Sequence, residues 1–478
     1  MIISKSKYLS GLQCPKLLWY LLRAPEDVPE LDEASQEGLR QGVLVGELAQ
    51  KLFPQGVLVD YEKGFDDTLT QTKVLVAQKK VVFEASFLSN NCYCRCDILV
   101  PTSNGWNIIE VKASSRVKDV HIQDLSFQKH ILQESGLKIN NSYIMHINKD
   151  YLREEDIDVT SLFVKEEVND LVDSELTQVP YNLKKMFDVL EQDMPQTPIG
   201  TQCNNPYECI MKSTCWSYLP ENNVTQLYYN NGFDFINQGV LGLVDIPSSA
   251  LSEKQQIQQE ATKKQQAIIN KKKIHGWLSK LEYPLFFFDF ETTSSAIPFF
   301  NKSKPYQQIP FQYSLHIIRE PGAEPEHYEF LWEELSDPRE ELVKTLSLFG
   351  TSGSVLAYSM SFERKVLVEL KQIFPEHKKT IDNIISRLVD LIVPFRKFWY
   401  YHPKQQGKTS IKYILPAIHG FGYESLTINQ GDLAAREWFR AASGSEDKEQ
   451  VFSNLREYCC LDTKAMIILL KELERVSI

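Results

Sequence analysis

The sequence predicts an α/β protein that folds as two domains, and three features carry this prediction. The chain has 478 residues, which is too long for one ordinary hydrophobic core. Residues 1–220 mix helical and strand patterns and end in the cysteine-rich segment CNNPYECIMKSTCW, which indicates one closed unit. Residues 276–478 open with the apolar strand LFFFDFETT and end in the helical segment LREYCCLDTKAMIILLKELERV. Between them, residues 221–275 contain a stretch rich in glutamine and lysine that is predicted to be an exposed helical connector.

Composition and charge limit the classes of function. The hydrophobic fraction of 43% is ordinary for a globular protein, and no apolar run is long enough to cross a bilayer. The first residues lack the apolar stretch and cleavage site of a secretory signal, so we expect a cytoplasmic protein whose nine cysteines are thiols or metal ligands. The net charge of −11 argues against a protein that coats nucleic acid indiscriminately, but it is compatible with a nuclease whose carboxylates bind metal ions.

One stretch of the chain is locally basic. From Glu363 to Lys412 there are 11 Lys and Arg against 5 Asp and Glu, a difference of 11 − 5 = +6. This stretch is predicted to be either a surface that contacts phosphates or an ordinary solvated face.

The strand LFFFDFETT carries two carboxylates. Because side chains alternate along a strand, Asp289 and Glu291 lie beside each other on one face. Two buried carboxylates repel unless a cation or hydrogen bonds compensate, so a divalent metal ion is the expected partner. In the last helix, Tyr458 and Asp462 are one turn apart on one face, where a phenol can orient a water molecule beside a carboxylate. The segment SVLAYSMSFERKVLVEL predicts a strand, a turn and a helix whose start holds Glu363.

These three motifs, in this order, resemble the DnaQ-like 3′–5′ exonucleases of the DEDDy type over about residues 280–478. The resemblance implies an RNase H-like α/β domain in which Tyr458 positions the attacking water. It also implies that two Mg²⁺ or Mn²⁺ ions are held by Asp289, Glu291, Glu363 and Asp462. The chain departs from the family in the second motif, where the family usually has Asp in place of Glu363 and Asn in place of Ser359.

A second set of charged residues is predicted in the first domain. The segment NNCYCRCDILVPTSNGWNIIEVKASS predicts two strands joined by a turn at PTSNG, and Asp97 begins one of the apolar strand segments. Glu110 and Lys112 share one face of the other strand. A carboxylate that can bind a metal ion therefore stands beside an ammonium group that can contact a phosphate or its attacking water.

This pattern resembles the PD-(D/E)xK nucleases, and in particular their RecB-like branch. The resemblance implies a mixed sheet of the restriction-endonuclease type, with Glu47, Asp97 and Glu110 as metal ligands. It also implies that Lys112 is the catalytic ammonium group and that Gln128, on a following helix, is a further catalytic residue. His121, at the start of that helix, is expected to be a surface residue.

Four cysteines are candidate ligands of an iron–sulfur cluster. Cys203, Cys209 and Cys215 recur at every sixth residue, and Cys14 lies far upstream. Four thiolates suit a [4Fe–4S] cluster, and one distant cysteine joined to a later trio resembles the RecB-like iron–sulfur nucleases. Such a cluster would clasp the two ends of the domain together. A tetrahedral zinc site is the alternative, although the C-x₂₋₄-C pair that zinc sites usually include is absent.

The other five cysteines are predicted to be packing residues. Cys92, Cys94 and Cys96 alternate along a strand, so they share the face opposite Asp97 and are expected to be buried. Cys459 and Cys460 are expected to pack in the last helix.

Together the motifs predict a metal-dependent nuclease with two sites that processes DNA ends, or single-stranded DNA, in repair or in defence against foreign DNA. Two alternatives stay open at this stage. One is an RNA exonuclease, because discrimination between the two polymers depends on contacts with the 2′-hydroxyl that no motif reveals. The other is a nucleic-acid-binding adaptor in which one or both sites have decayed.

Overall fold

The computed structural model describes residues 1–62 and 64–478, which form two compact units. Unit 1 consists of Met1–Tyr218 and Ser295–Tyr306, and unit 2 consists of Leu219–Ser294 and Gln307–Ile478. Each unit contains a mixed β-sheet and helices, so the predicted α/β class is confirmed. The first unit ends at Tyr218, close to the predicted limit at residue 220, and a short later segment returns to it.

Unit 1 contains seven strands and nine α-helices within its described residues. Its strands are β1 (Ile3–Ser4), β2 (Val57–Leu58), β3 (Val82–Ser89), β4 (Cys92–Pro101), β5 (Trp106–Lys112), β6 (Ile139–Ile147) and β7 (Phe163–Glu167). Its helices are α1 (Lys5–Gln13), α2 (Pro15–Arg23), α3 (Glu33–Gln50), α4 (Phe65–Ala77), α5 (Asp119–Glu134), α6 (Val159–Leu162), α7 (Asn169–Leu176), α8 (Val179–Leu190) and α9 (Lys212–Trp216).

The strands of unit 1 form one mixed sheet in the order β2-β3-β4-β5-β6-β7, and β1 pairs with the start of β4. The hairpin predicted around PTSNG is present as β4 and β5, which pair antiparallel. β5 and β6 are parallel, and α5 connects them and packs against the sheet. In β4 the alternation buries Cys92, Cys94 and Cys96 in the hydrophobic core, as predicted.

Unit 2 contains the remaining elements. Its strands are β8 (Ile268–Ile269), β9 (Leu285–Thr293), β10 (Ile309–Ile318), β11 (Glu326–Leu331), β12 (Ser354–Ala357), β13 (Leu388–Asp390) and β14 (Tyr400–Tyr401). Its helices are α10 (Phe233–Asn237), α11 (Glu253–Lys264), α12 (Lys271–Leu278), α13 (Arg339–Thr345), α14 (Ser361–Ile373), α15 (Lys378–Ser386), α16 (Val393–Arg396), α17 (Ile411–His419), α18 (Gly431–Ala442) and α19 (Lys448–Ser477).

The main sheet of unit 2 has the order β11-β10-β9-β12-β13, with β9 at its centre. β9 pairs antiparallel with β10 and parallel with β12. Because side chains alternate along β9, Phe286, Phe288 and Phe290 enter an aromatic core on one face. Asp289 and Glu291 lie on the opposite face, which α19 covers. The strand therefore separates the packing layer from the charged layer.

The glutamine-rich segment predicted to be an exposed connector forms α11 within unit 2. Gln258 and Gln259 are buried there. Gln258 Nε2 donates to the carbonyl of Gln226 at 2.8 Å, and Gln259 Nε2 donates to the carbonyl of Ile246 at 2.7 Å. These amides satisfy backbone acceptors of the preceding loops, so their polarity serves internal hydrogen bonding rather than contact with solvent.

Within residues 1–62 and 64–478, no helix is both long and apolar enough to cross a lipid bilayer.

We predict that Phe288→Ala lowers the free energy of unfolding of unit 2 by about 3–5 kcal/mol, because it leaves a cavity in a packed core. The Phe288 ring is fully buried and touches the rings of Phe290, Tyr313 and Phe349. Denaturant unfolding of the full chain measures the change. Leu348→Ala, at a side chain that is 40% exposed, is the control and should cost no more than about 0.5 kcal/mol. Equal losses in the two variants would contradict the packing role of Phe288.

Candidate active sites

Four acidic side chains of unit 2 converge in one place. Asp289 and Glu291 come from β9, Glu363 from the first turn of α14, and Asp462 from the middle of α19. Glu291, Glu363 and Asp462 are buried, and Asp289 is partly buried. We call these four residues the Asp289 cluster. The structure thus brings together all four carboxylates that the resemblance implies as ligands, although their role as ligands stays a prediction.

Burial raises the pKa of every carboxyl group in the Asp289 cluster, and repulsion from other acids raises those of Asp289, Glu291 and Glu363 further. Burial, followed by the charges of Asp462 and Glu291, holds the pKa of Asp289 well above its usual value. Burial and the charge of Asp462 do the same to the pKa of Glu291. Burial raises the pKa of Asp462 to about 6 and that of Glu363 to about 8. The four acids therefore form a site that a cation would stabilise.

Polar side chains of β10 hold α19 over the acids of β9. Gln312 Nε2 donates to the carbonyl oxygen of Leu455 at 2.9 Å. The hydroxyl groups of Ser314 and Thr463 are 2.6 Å apart. In the sheet, Gln312 pairs with Glu291, and Ser314 pairs with Asp289. The hydrogen bonds that anchor the helix therefore lie next to the carboxylates that it covers.

Two phenol groups lie beside Asp462, and one ammonium group contacts the second of these phenols. Tyr423 donates from its hydroxyl to Asp462 Oδ1 at 2.6 Å, and the hydroxyl of Tyr458 also forms a hydrogen bond with Asp462. Lys412 Nζ donates to the hydroxyl of Tyr458 at 3.1 Å and to the carbonyl of Asn429 at 2.7 Å. Tyr458 therefore lies between an ammonium group and a candidate ligand, with its hydroxyl oriented by both.

Glu363 is the acid whose identity departs from the family pattern, and its surroundings fit a ligand. Among the residues that the structure describes, its Oε2 atom is buried without a hydrogen-bond partner. The nearby carboxylate of Asp390 is already occupied, since it accepts hydrogen bonds from the backbone amides of Ser359 at 3.0 Å and Ile392 at 3.2 Å and from Arg396 at 3.3 Å. Of these two acids, Glu363 has the oxygen that is free to bind a metal ion.

The cations of the predicted basic stretch are of three kinds. Some of its cations serve the fold, since Lys371 pairs with Asp382 at 2.6 Å and Arg387 donates to backbone carbonyls. Lys412 is part of the site. Other members are exposed, namely Lys378, Lys379, Lys397, Lys404 and Lys408.

A second cluster surrounds Glu110, a buried side chain of β5 in unit 1. Glu110 Oε1 accepts hydrogen bonds from Lys112 Nζ at 2.7 Å and Lys5 Nζ at 2.8 Å, and its Oε2 accepts one from Gln128 Nε2 at 2.7 Å. Lys112 Nζ and Gln128 Nε2 also donate to Asp124, at 2.6 and 2.9 Å. With Asp97, these residues form what we call the Glu110 cluster.

Asp97 lies at the edge of this cluster. Its Oδ2 accepts from the backbone amide of Val111 at 2.7 Å, and its Oδ1 is 3.7 Å from Lys5 Nζ. Burial raises the pKa of Asp97, and burial with the charges of Asp124 and Asp97 raises the pKa of Glu110 to about 7. Burial acts to raise the pKa of Asp124 as well, but the two lysines lower it below its usual value. Hence three acids share two ammonium groups.

Two expectations for unit 1 differ from the observed positions. Glu47 lies on the exposed side of α3, and within residues 1–62 and 64–218 no hydrogen bond or ion pair joins it to the Glu110 cluster. Its role as a ligand stays a prediction. His121 was expected at the surface and is buried, with 5% of its surface exposed. The reason is that α5 packs against the sheet and is buried along most of its length.

Sequence reasoning missed four residues of these sites. Asp124 could have been found, because it lies one turn before Gln128 on the same helix face. Lys412 was predicted only as the last residue of the basic stretch, and not as a residue of the site. Lys5 and Tyr423 are far from the motifs in sequence, and no local pattern singles them out.

The four candidate cluster ligands of unit 1 line one pocket. They are Cys14, which precedes α2, and Cys203, Cys209 and Cys215 from the segment around α9. Lys16 and Lys212 also line the pocket, so positive charge lies near the thiols. Gln13 Nε2 ties the two segments together by donating to the carbonyls of Gln202 at 2.7 Å and Tyr207 at 2.8 Å.

The spacing of these thiols differs from that of a single-metal site. Among the described residues, two sets of three ligand atoms lie mutually within 4.8 Å: His316 with His327 and Cys460, and Asp289 with Glu291 and Cys459. No three of the four pocket cysteines form such a set. Thiolates on one tetrahedral zinc ion would be about 3.8 Å apart, as Zn–S bonds of about 2.3 Å require. The pocket thiols are more widely spread.

Comparisons with known proteins give relatives without an assigned function. A family model described as a domain of unknown function, DUF2779, matches residues 286–410, which include three acids of the Asp289 cluster. The uncharacterized protein MG366 of Mycoplasma genitalium is 25% identical over 323 residues, which cover 61% of this chain and 48% of that protein. The MG366 homolog of Mycoplasma pneumoniae is 28% identical over 256 residues, covering 48% of this chain and 38% of the relative. The chain thus spans about half or less of the length of these relatives.

Among solved structures, the crystal structure of SSO0001 is similar to part of this chain at 18% sequence identity. The similarity covers 44% of this chain and 86% of the other, with a TM-score of 0.20.

We predict that the metal-free chain becomes less stable as the pH rises from about 6.5 to about 8, above the range in which buried His121 and His316, whose pKa values are lowered to about 4, act in the opposite direction. The folded chain raises the pKa of Asp462 to about 6, of Glu110 to about 7 and of Glu363 to about 8, so it holds protons that the unfolded chain has released. Their contribution is complete below the ordinary carboxyl pKa of about 4 and is lost as the pH rises through these higher values. Melting temperatures in a chelator across this range measure the effect.

The matched variant for this experiment is Asp289→Asn, which removes one of the repelling charges and should flatten the dependence. Added Mg²⁺ or Mn²⁺ should raise the melting temperature more at the alkaline end, where the acids are ionised. A melting temperature that rises with pH in the chelator would contradict the prediction.

Proposed function

We propose that the chain is a metal-dependent nuclease with two hydrolytic sites, one in each unit. The observation that carries this proposal is the Asp289 cluster, in which four carboxylates lie together and Lys412 contributes positive charge to three of them. A buried set with such an excess of negative charge fits divalent cations, since oxygen ligands are those that Mg²⁺ and Mn²⁺ prefer. The orphaned Oε2 atom of Glu363 supports the same assignment.

In unit 2, Asp289, Glu291, Glu363 and Asp462 would hold two divalent metal ions. Such a pair supplies charge stabilisation to the attacking and leaving oxygens when a water molecule displaces the 3′ oxygen from phosphorus. The mixed sheet with acids on its central strand and a covering helix that bears Tyr458 and Asp462 is compatible with the DnaQ-like exonuclease fold that the motifs resemble. We therefore infer 3′–5′ exonuclease activity for this unit.

The side chains of unit 2 would orient the attacking water and the carboxylate of Asp462. Tyr458 would hold the attacking water through its hydroxyl, and Lys412 would keep that hydroxyl in place by donating to it. Tyr423 donates to Asp462 and so fixes the orientation of that carboxylate. Each of these groups acts before the phosphodiester bond breaks, by limiting where the water and the carboxylate can lie.

In unit 1, Asp97 and Glu110 would hold a divalent metal ion, with Glu47 as the further ligand that the resemblance implies. Lys112 would contact the scissile phosphate or its attacking water, and Gln128 would orient Glu110. This site has less net negative charge than the site of unit 2, because two lysines are paired with its three acids. It therefore fits fewer cations. The mixed sheet and the hairpin that bears these acids support a RecB-like, PD-(D/E)xK assignment.

We further propose that Cys14, Cys203, Cys209 and Cys215 hold a [4Fe–4S] cluster. The four thiols line one pocket, are spread more widely than the ligands of one zinc ion, and have Lys16 and Lys212 nearby to offset the charge of four thiolates. The cluster would join the start of the chain to the end of unit 1. Reduced thiols also fit the cytoplasmic location that we propose.

The substrate that we propose is DNA, at ends or in single strands, with RNA as the outcome to be tested against it. End-labelled DNA and RNA, single- and double-stranded, incubated with Mg²⁺, Mn²⁺ or EDTA, test the proposal. Metal-dependent shortening of DNA from the 3′ end supports it. No cleavage of any polymer with either metal ion would leave a binding protein and overturn the proposal.

The first prediction from this proposal concerns the independence of the two sites. Glu110→Ala should remove one cleavage activity and Asp289→Ala the other, because each change deletes a ligand of a different site. The double variant should be inactive and still folded. If either single variant removes all cleavage, the two sites do not act independently.

The second prediction concerns Tyr458. In a Glu110→Ala background, Tyr458→Phe should reduce exonuclease turnover by roughly 10²–10⁴-fold, the range for a lost positioned acid–base group, while Mn²⁺ affinity stays near that of the parent. Asp462→Asn is the contrasting variant, because loss of a ligand charge should weaken metal binding as well. Full turnover in Tyr458→Phe would falsify the role in positioning water.

The third prediction concerns the cysteine pocket. Chain purified without oxygen should be brown and contain about four irons. Cys209→Ala should lose the iron and lower the melting temperature of unit 1, whereas Cys94→Ala, at a buried thiol outside the pocket, should keep the iron. Zinc in place of iron, or unchanged iron in Cys209→Ala, would refute the assignment.

A further inference from the structure

Two imidazoles and a thiol meet on the α19 side of the unit 2 sheet, apart from the Asp289 cluster. His316 on β10 pairs across the sheet with His327 on β11, and their rings stack with centroids 4.4 Å apart. Cys460 approaches them from α19. One ligand atom from each of the three residues lies within 4.8 Å of the other two. Nothing in the proposed nuclease chemistry uses these side chains.

A chain of hydroxyl groups fixes one nitrogen of each imidazole. His316 Nδ1 lies 2.8 Å from Thr463 Oγ1, and His327 Nε2 lies 3.0 Å from Ser314 Oγ. The two hydroxyl groups are 2.6 Å apart, and Thr463 Oγ1 donates to the carbonyl of Cys460 at 3.2 Å. All of these contacts are satisfied together when Ser314 donates to Thr463 and each imidazole donates to a hydroxyl oxygen. The other nitrogen of each ring then keeps its lone pair.

This arrangement is the one that metal-binding histidines need. A histidine ligand almost always donates its second ring nitrogen to a neighbouring acceptor, which fixes the tautomer and the orientation of the ring. Both histidines have such an acceptor, and the same network ends at the backbone of Cys460. Packing alone would not require two imidazoles, each hydrogen-bonded to a hydroxyl group, to lie beside a thiol.

We propose that His316, His327 and Cys460 bind one Zn²⁺ ion. Two imidazoles and a thiolate are ligands that zinc prefers and that Mg²⁺ avoids, so this site is chemically separate from the carboxylates of the same unit. The fourth coordination position of the zinc ion would be filled by water or by Glu329. Glu329 lies two residues after His327 on the same face of β11. The ammonium group of the exposed Lys464 is also close and can turn into solvent.

The ion would connect three elements of unit 2. It would link the edge strand β11 and its neighbour β10 to α19. The ligand on that helix, Cys460, lies two residues before Asp462. The inference does not depend on nuclease activity, because it concerns metal binding alone.

Cobalt provides the test, because a thiolate bound to Co²⁺ gives a charge-transfer band in the near ultraviolet. The full chain carrying Cys209→Ala, which removes a ligand of the cysteine pocket, is stripped with a chelator and titrated with Co²⁺ in reductant. Excess Mg²⁺ occupies the carboxylate sites. We expect one Co²⁺ bound with a thiolate band, and its stoichiometric displacement by Zn²⁺. Absence of the band in this chain would overturn the proposal.

Variants separate the site from adventitious binding. Cys460→Ser, which preserves size, should remove the band, and His316→Gln and His327→Gln should each lower Co²⁺ affinity by at least about 100-fold. Thr463→Val keeps all three ligands and removes only the hydroxyl, so it should weaken binding by about 10–100-fold while the band persists. His275→Ala, at an exposed histidine on α12, is the matched control and should change neither quantity.

Circular dichroism and melting in the absence of metal establish that each variant is folded. Retention of the band by Cys460→Ser, or unchanged affinity in both histidine variants, would overturn the site. Affinity in Thr463→Val equal to that of the parent would overturn the role assigned to the hydroxyl network.

Discussion

The repulsion between carboxylates that share a buried volume is the constraint on which both candidate sites depend. A buried charge is costly unless an opposite charge or hydrogen bonds compensate it. In the Glu110 cluster, Lys5 and Lys112 provide that compensation, and Gln128 bridges two of the acids. In the Asp289 cluster, the charge of Lys412 acts on three of the four acids, and the pKa values of all four nevertheless stay raised. The two units thus solve the same problem to different extents.

Sequence patterns predicted the parts of these sites that local periodicity determines. The two-residue spacing of Asp289 and Glu291 and the four-residue spacing of Tyr458 and Asp462 each define one face of one element, and the structure contains both faces. The hairpin that carries Glu110 could be predicted in the same way, from local alternation and a turn signal. In each case the information lies within a few residues of the chain.

The rest depends on contacts between distant segments. Lys5 is 105 residues from Glu110 in sequence, and Tyr423 is 39 residues from Asp462, so no local period connects them. The glutamines of α11 misled the sequence interpretation for a related reason. Their amides bind backbone carbonyls of loops up to 32 residues away, and composition alone cannot distinguish such an internal role from exposure to solvent.

The strict alternation along β9 limits how this protein can change over evolutionary time. Phe286, Phe288 and Phe290 face the aromatic core, whereas Asp289 and Glu291 face α19, so neighbouring positions of the strand belong to different layers. Insertion or deletion of one residue within the strand would exchange the two layers, because a shift of one position reverses the direction of each later side chain. Phenylalanine rings would then enter the charged layer, and carboxylates would enter the core. Lineages that share this chain are therefore free to vary the lengths of its loops, whereas the length of β9 is as constrained as the identity of its acids.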